Sequence, residues 1–221
     1  RNFGAKLSRG SYINFFDSDD LAYPNHLEEA YKFIQSKKQP EVFHLHYDIR
    51  REDGSFVREA RWFGPLANKR LIVENHLSTN NVFLRRDIAL AFPFPEDRRM
   101  AVSEDWALWL KLAARFPIHC SRVITSTYVD HDTRSVIDWN MDKILLRHDL
   151  MTEYLMADEQ FKTYYGNRLG RYYSDRYTFF MLLLSLNKRK KETLEYAKKA
   201  VLEDWTVIFR KRFLASLTKL I

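Results

Sequence analysis

Apolar and polar positions repeat with two different periods along this chain, and the change from one to the other divides it. Tyr12 to Phe16 is a short apolar run that predicts a buried strand, ending abruptly in Asp17, Asp19 and Asp20. Pro24 then suits a helix start, with Leu27, Ala30, Tyr31 and Ile34 at helical spacing and Lys37-Lys38 at its close. From Val42 to Ile49 the pattern alternates, placing Phe43, Leu45, Tyr47 and Ile49 on one face and His44, His46 and Asp48 on the other. Asp53-Gly54 predicts a two-residue hairpin returning as a strand over 56–63. A short strand is expected over 80–84, a helix over 104–115 capped by Ser103, and a β-branched strand over 123–129. Residues 1–10 are polar and Gly-containing, with no clear period.

Beyond about Ile137 strand signals vanish, and helices are expected over 139–156, 167–186, 190–203 and from Trp205 to the end. The expected organisation is therefore a mixed α/β portion over 1–137 and an all-helical extension over 138–221. The formal charge of +7 concentrates in the extension: from Asn187 to Ile221, ten Lys or Arg face four acids. Such a patch suits nucleic acid, anionic lipid or a phosphorylated ligand, and its sign alone does not choose. Tail aromatics at core-stripe spacing and the lack of a nucleic-acid-binding motif argue against nucleic acid. Trp205, Ile208, Phe209, Phe213, Leu217 and Leu220 recur at helical spacing among cations, which fits either a helix packed on the protein or one lying on an anionic membrane surface. One cysteine, Cys120, precludes an internal disulfide framework, and no apolar run approaches the ~20 residues of a membrane span. A cytoplasmic location is expected, and the membrane-surface alternative adds peripheral attachment to the inner face of the membrane through 205–221.

Three carboxylates within four residues at a strand tip repel one another, and folding alone gives no reason for them. Oxygen donors of this kind suit Mg²⁺ or Mn²⁺, while a solvated acidic turn capping the next helix is the plain alternative. Glu104 and Asp105 open a predicted helix, where acids stabilise the first turn whether or not they do chemistry. His44 and His46 lie two apart on one strand face, and with no third ligand nearby they read as sheet-surface histidines.

Three segments together are more specific. Arg1-Asn2-x-Gly4 followed by Gly10-Ser-Tyr-Ile-x-Phe-Phe-Asp17-Ser-Asp19-Asp20, then Ser103-Glu104-Asp105-Trp106, then Tyr128-x-x-His131-x-x-x-Ser135, resemble in order the motifs of inverting family 2 glycosyltransferases of the GT-A fold. The resemblance covers residues 1–136. It implies a mixed sheet flanked by helices, a nucleotide-diphosphate sugar donor (uridine-linked) and a saccharide or lipid-linked acceptor in bacterial surface-polysaccharide assembly. It further implies Asp105 as general base with Glu104 on acceptor hydroxyls, and Arg1, Asn2, Asp17 and Asp19 toward the nucleotide. Asp19, Asp20 and His131 are implied for Mn²⁺ or Mg²⁺, with Asp20 the main ligand and Asp17 shaping the turn. Ser78 to Asn81 with Arg85-Arg86 resemble an acceptor-side loop, more weakly. Family members carry first strands and a base pocket ahead of Arg-Asn-x-Gly, so a truncated catalytic portion is expected. The rival expectation is a non-catalytic fragment or basic interaction module for acidic partners. A nuclease or phosphotransferase lacks the Gly-rich phosphate loop or second ligand set it would need.

Overall fold

The computed structural model describes residues 1–130 and 140–219, and within them the chain forms two compact units, Arg1–Phe161 and Lys162–Ile221. The expected boundary near 135–138 falls outside the described residues. Helix α6 (Met141–Met156) counts with the first unit because it packs on α5 (Glu104–Ala113) and on the turn at Arg98–Met100. Asp158 just beyond α6 pairs with Arg115 at 2.9 Å and Lys111 at 3.6 Å.

Unit 1 is built on one mixed six-stranded sheet. Its strands are β1 (Tyr12–Asn14), β2 (Leu21–Ala22), β3 (Val42–Arg51), β4 (Phe56–Glu59), β5 (Val82–Arg85) and β6 (Ile118–Asp130), in the order β1-β5-β3-β6-β2 with β4 also on β3. Strand β3 is the axis. It pairs antiparallel with β5 and β4, and parallel with β6 from Val42↔Ile118 to Arg51↔Asp130. Register shifts on either side of His46 break that last ladder. One face of β3 carries Phe43 and Leu45 into a cluster with Ala30 of α2 (His26–Ser36) and Phe83 of β5. The Phe43 and Phe83 rings stack at 4.9 Å.

The other face departs from expectation. His44 and His46 are each only 3% exposed, so they are core residues and not sheet-surface histidines. The segment 74–81 lies over them: the Ser78 N–H donates to His44 Nε2 at 3.3 Å, which requires a neutral nitrogen there, and burial lowers the pKa of His44 well below the ordinary value. The hairpin also differs. Its loop has three residues, closed by Arg51 N–H to the Ser55 carbonyl, because Gly54 alone adopts a positive φ (81°) while a two-residue type I′ turn needs two such residues. Short helices α1 (Asn2–Leu7), α3 (Asn68–Leu71) and α4 (Arg86–Ala91) have too few turns to show a period in sequence.

Helix α7 (Glu159–Tyr165) leads into unit 2, which holds α8 (Leu169–Leu186), α9 (Lys190–Glu203), a 3₁₀ turn at Trp205–Phe209 and α10 (Lys211–Thr218). Gly170 lets α8 approach the end of α9, since a Cβ there would meet the Glu203 carbonyl oxygen at 2.6 Å. Met181, Ala197, Ala200, Val207 and Phe213 form the core, flanked by Leu217. The expected tail stripe therefore divides: Phe213 and Leu217 face inward, whereas Trp205 and Phe209 stand outward. Among the described residues no helix is long and apolar enough to cross a membrane.

Candidate active site

Strand β1 delivers the acidic turn to the rim of a cavity of about 670 Å³. The cavity is lined by Arg1, Asp17, Asp19 and Asp20, by Tyr47 and Ile49 of β3, by Asn75, Leu77, Ser78 and Thr79, and by Glu104 and Asp105 at the start of α5. Residues from Arg1 to Tyr128, far apart along the chain, thus meet at one cavity.

The three turn carboxylates have different surroundings. Asp20 is buried and holds the turn: its Oδ2 accepts from Asn80 Nδ2 at 2.6 Å and its Oδ1 from the Val129 N–H at 2.7 Å. Asn80 Oδ1 also accepts from the Asp17 N–H at 2.7 Å, so one asparagine side chain braces the turn at two points. Asp17 forms an ion pair with Arg1 at 3.1 Å, and Asp19 is the exposed member facing the cavity. Arg1 reaches across to Glu104 Oε1, also at 3.1 Å, and stacks over the Phe94 ring. The second oxygen of Glu104 is buried without a hydrogen-bond partner among the described residues.

Asp105 lies deeper. Its Oδ2 accepts from Asn75 Nδ2 at 3.1 Å and Thr79 Oγ1 at 3.5 Å, and its Oδ1 from the Trp106 N–H at 2.6 Å. Burial, reinforced by the neighbouring Glu104 charge, pushes its pKa up to about 6. The helix-start position alone suggests a lowered value, but desolvation outweighs the dipole here. A carboxylate with that value is a stronger base than an ordinary aspartate yet still ionised at neutral pH. Just before it, Val102 lines the cavity with φ 78°, a backbone conformation that a β-branched residue seldom adopts.

Two expectations change. Asn2 does not line the cavity: its amide donates to the Phe94 carbonyl and Glu96, and its oxygen accepts from the Phe94 N–H, so its polar atoms are spent on tying α1 to the 94–96 segment. Arg85 and Arg86 are engaged elsewhere, with Glu41 and Asp87 and with the Ser8 carbonyl. His131 lies outside the described residues. Among the described residues no group of three or more His, Cys, Asp or Glu side chains could by itself hold a metal ion. Sequence reasoning passed over Asn75, Val102 and Arg58, which also line the cavity, since nothing in their spacing marks them.

Residues 1–90 match the model of the family described as Glycosyl transferase family 2. Over that first part of unit 1 the chain is similar to the family. An uncharacterized glycosyltransferase of Rickettsia felis is 26% identical over 162 residues, covering 72% of this chain and 26% of the relative. A second, from Methanocaldococcus jannaschii, is 23% identical over 120 residues, covering 52% of this chain and 40% of the relative. The chain thus spans well under half the length of these curated relatives. The crystal structure of Staphylococcus aureus TarS 1-349 superposes with a TM-score of 0.52 at 15% identity, covering 100% of this chain and 66% of that one. This likeness shows a GT-A-like fold, with its mixed sheet, flanking helices and helical C-terminal region.

Proposed function

We propose that this chain is part of a family 2 glycosyltransferase, an inverting, metal-dependent enzyme that moves a sugar from a uridine-diphosphate donor to a hydroxyl of a saccharide or lipid-linked acceptor. Bacterial surface-polysaccharide assembly on the cytoplasmic side of the membrane completes the reading. The observation that carries it is the meeting of Arg1, Asp17, Asp19, Glu104 and Asp105 around one cavity. Asp105, held by Asn75, takes the acceptor proton; the hydroxyl oxygen bonds to the anomeric carbon as that carbon's bond to the diphosphate breaks, and the diphosphate departs with the electron pair. A single displacement inverts the centre. Glu104, with a buried oxygen lacking a partner among the described residues, takes an acceptor hydroxyl. Arg1 lies where it can meet the diphosphate.

Two neighbouring carboxylates, with no larger ligand cluster among the described residues, suit a hard cation that completes its shell with substrate phosphate. In this reading Asp19 holds Mn²⁺ or Mg²⁺ from the cavity side, Asp20 fixes the turn beneath it, and His131 remains a further candidate ligand. The cation's contribution is to neutralise the leaving diphosphate.

The test is sugar transfer and Mn²⁺-dependent uridine diphosphate binding by the full chain. Asp105→Asn is expected to abolish transfer while leaving nucleotide binding, and Asp19→Asn to lose metal-dependent binding. Retained transfer in Asp105→Asn overturns its role, and a chain with neither binding nor transfer favours the non-catalytic interaction module.

A further inference from the structure

Unit 2 holds a second surface with its own chemistry. Within eight residues Leu202, Trp205, Ile208 and Phe209 are exposed, at 76%, 65%, 37% and 72%. The Trp205 and Phe209 rings touch edge to face at 6.2 Å, so the two aromatics form one patch. The segment is firmly built and not a frayed end. Asp204 caps the turn through the Thr206 N–H and hydroxyl and pairs with Arg210, while Val207 between the two rings is fully buried in the unit 2 core. Lys198, Lys199 and Lys211 are exposed just before and just after it.

Large apolar side chains held outward on a rigid turn cost solvation and mark an interaction surface. The cations choose the partner. A second copy of the same basic tail would be repelled, whereas rings that favour the headgroup boundary combined with lysines that favour phosphate match an anionic bilayer. Leu202 and Ile208 add aliphatic area that suits acyl chains and gives a nucleic-acid base nothing to stack on.

We propose that residues 198–211 form a docking surface for anionic phospholipid bilayers, with Trp205 and Phe209 entering the headgroup–acyl boundary and Lys198, Lys199 and Lys211 facing the phosphate layer. This concerns unit 2 alone, and its test needs no enzymatic activity. The full 221-residue chain is sedimented with phosphatidylcholine vesicles with or without about 30 mol% phosphatidylglycerol. Binding is expected only to the anionic vesicles, and Trp205→Ser/Phe209→Ser should weaken it by about tenfold or more. Brominated lipid should quench the tryptophan fluorescence of the unaltered chain. The conservative Trp205→Phe should keep binding and lose that quenching, a result a folding defect does not produce. Equal binding of the serine variant, no binding by the unaltered chain, or quenching that survives Trp205→Phe each overturn the proposal. So does a concentration-dependent dimer that the serine variant abolishes, which would give the patch to a second copy.

Discussion

The two units bury polar side chains in opposite ways. In unit 2 the buried hydroxyls of Thr178, Ser185, Thr193 and Ser216 donate to carbonyls three or four residues back in their own helices, those of Asp175, Leu182, Arg189 and Arg212. In unit 1 the partners are remote in sequence. Asn80 meets Asp20, Asn81 accepts from Ser126, His26 meets Thr125 at 3.0 Å, and Asn68 donates to the Ala113 and Phe116 carbonyls. A hydroxyl satisfied within its own turn is indifferent to the rest of the fold and acts as a small core residue. A network satisfied across the fold is sensitive to every element it joins, and it can hold a site to fine tolerance only because of that sensitivity. The difference teaches where position matters: the buried polar groups of the cavity-bearing elements are braced across the fold, whereas those buried hydroxyls of unit 2 are satisfied locally. The cross-helix tie from α10 to α8, Arg212 to Asp175 at 3.1 Å, is made by a partly exposed arginine.

The strongest challenge to this contrast is Asn80→Ala. It leaves the buried Asp20 carboxylate and the Asp17 N–H each short of a partner, with an expected loss of about 3 kcal/mol in urea unfolding and of most transfer activity. A loss no larger than that of a surface residue would show the brace to be idle.

Next comes Asp105→Asn, whose sign is opposite. The folded pKa of about 6 lies above the ordinary value of 3.8, so the folded state holds the proton more tightly than the unfolded state. Stability therefore falls as pH rises between those values, and the full cost stands above pH 6. The asparagine variant should be more stable than the unaltered chain by on the order of 1–2 kcal/mol at pH 8, with the gain vanishing below about pH 4. The same titration predicts that transfer falls away below about pH 6 as the base becomes protonated. A pH-independent difference in melting temperature would contradict both.

Val102→Gly should relieve the left-handed backbone at the cavity rim and raise stability by about 1 kcal/mol or less, while loosening the start of α5 enough to lower kcat. Smallest of all is Ser216→Ala in unit 2, expected to change stability by less than about 0.5 kcal/mol, because its hydroxyl bonds only within its own helix. A larger effect there would blur the distinction between the units.

Much of this was legible in the chain. The strands expected over 42–49 and 123–129 are present as 42–51 and 118–130, the helices expected over 104–115 and 190–203 as 104–113 and 190–203, and the switch to all-helical structure follows from the same period of apolar residues. Asp17, Asp19 and Asp20 stood out as like charges gathered at a strand tip, whereas Glu104 and Asp105, ordinary in a first helical turn, stood out only through the family resemblance. The roles within the acidic turn were not legible. Sequence gives three equivalent carboxylates, and only the Asn80 side chain and the Val129 N–H, both distant along the chain, separate the bracing Asp20 from the cavity-facing Asp19. The burial of His44 and His46 was hidden for the same reason, since alternation shows which residues share a face but not what covers it.

Arg1 bridges Asp17 and Glu104, and this makes it an internal counter-ion. On the proposed function, a cation held by Asp19 would meet an Asp17 carboxylate already neutralised by Arg1, and a diphosphate entering beside it would offer that guanidinium a new anion. Charge at the cavity mouth would then stay nearly level as ligands come and go, and cation affinity would depend on whether an anionic ligand is present to receive Arg1.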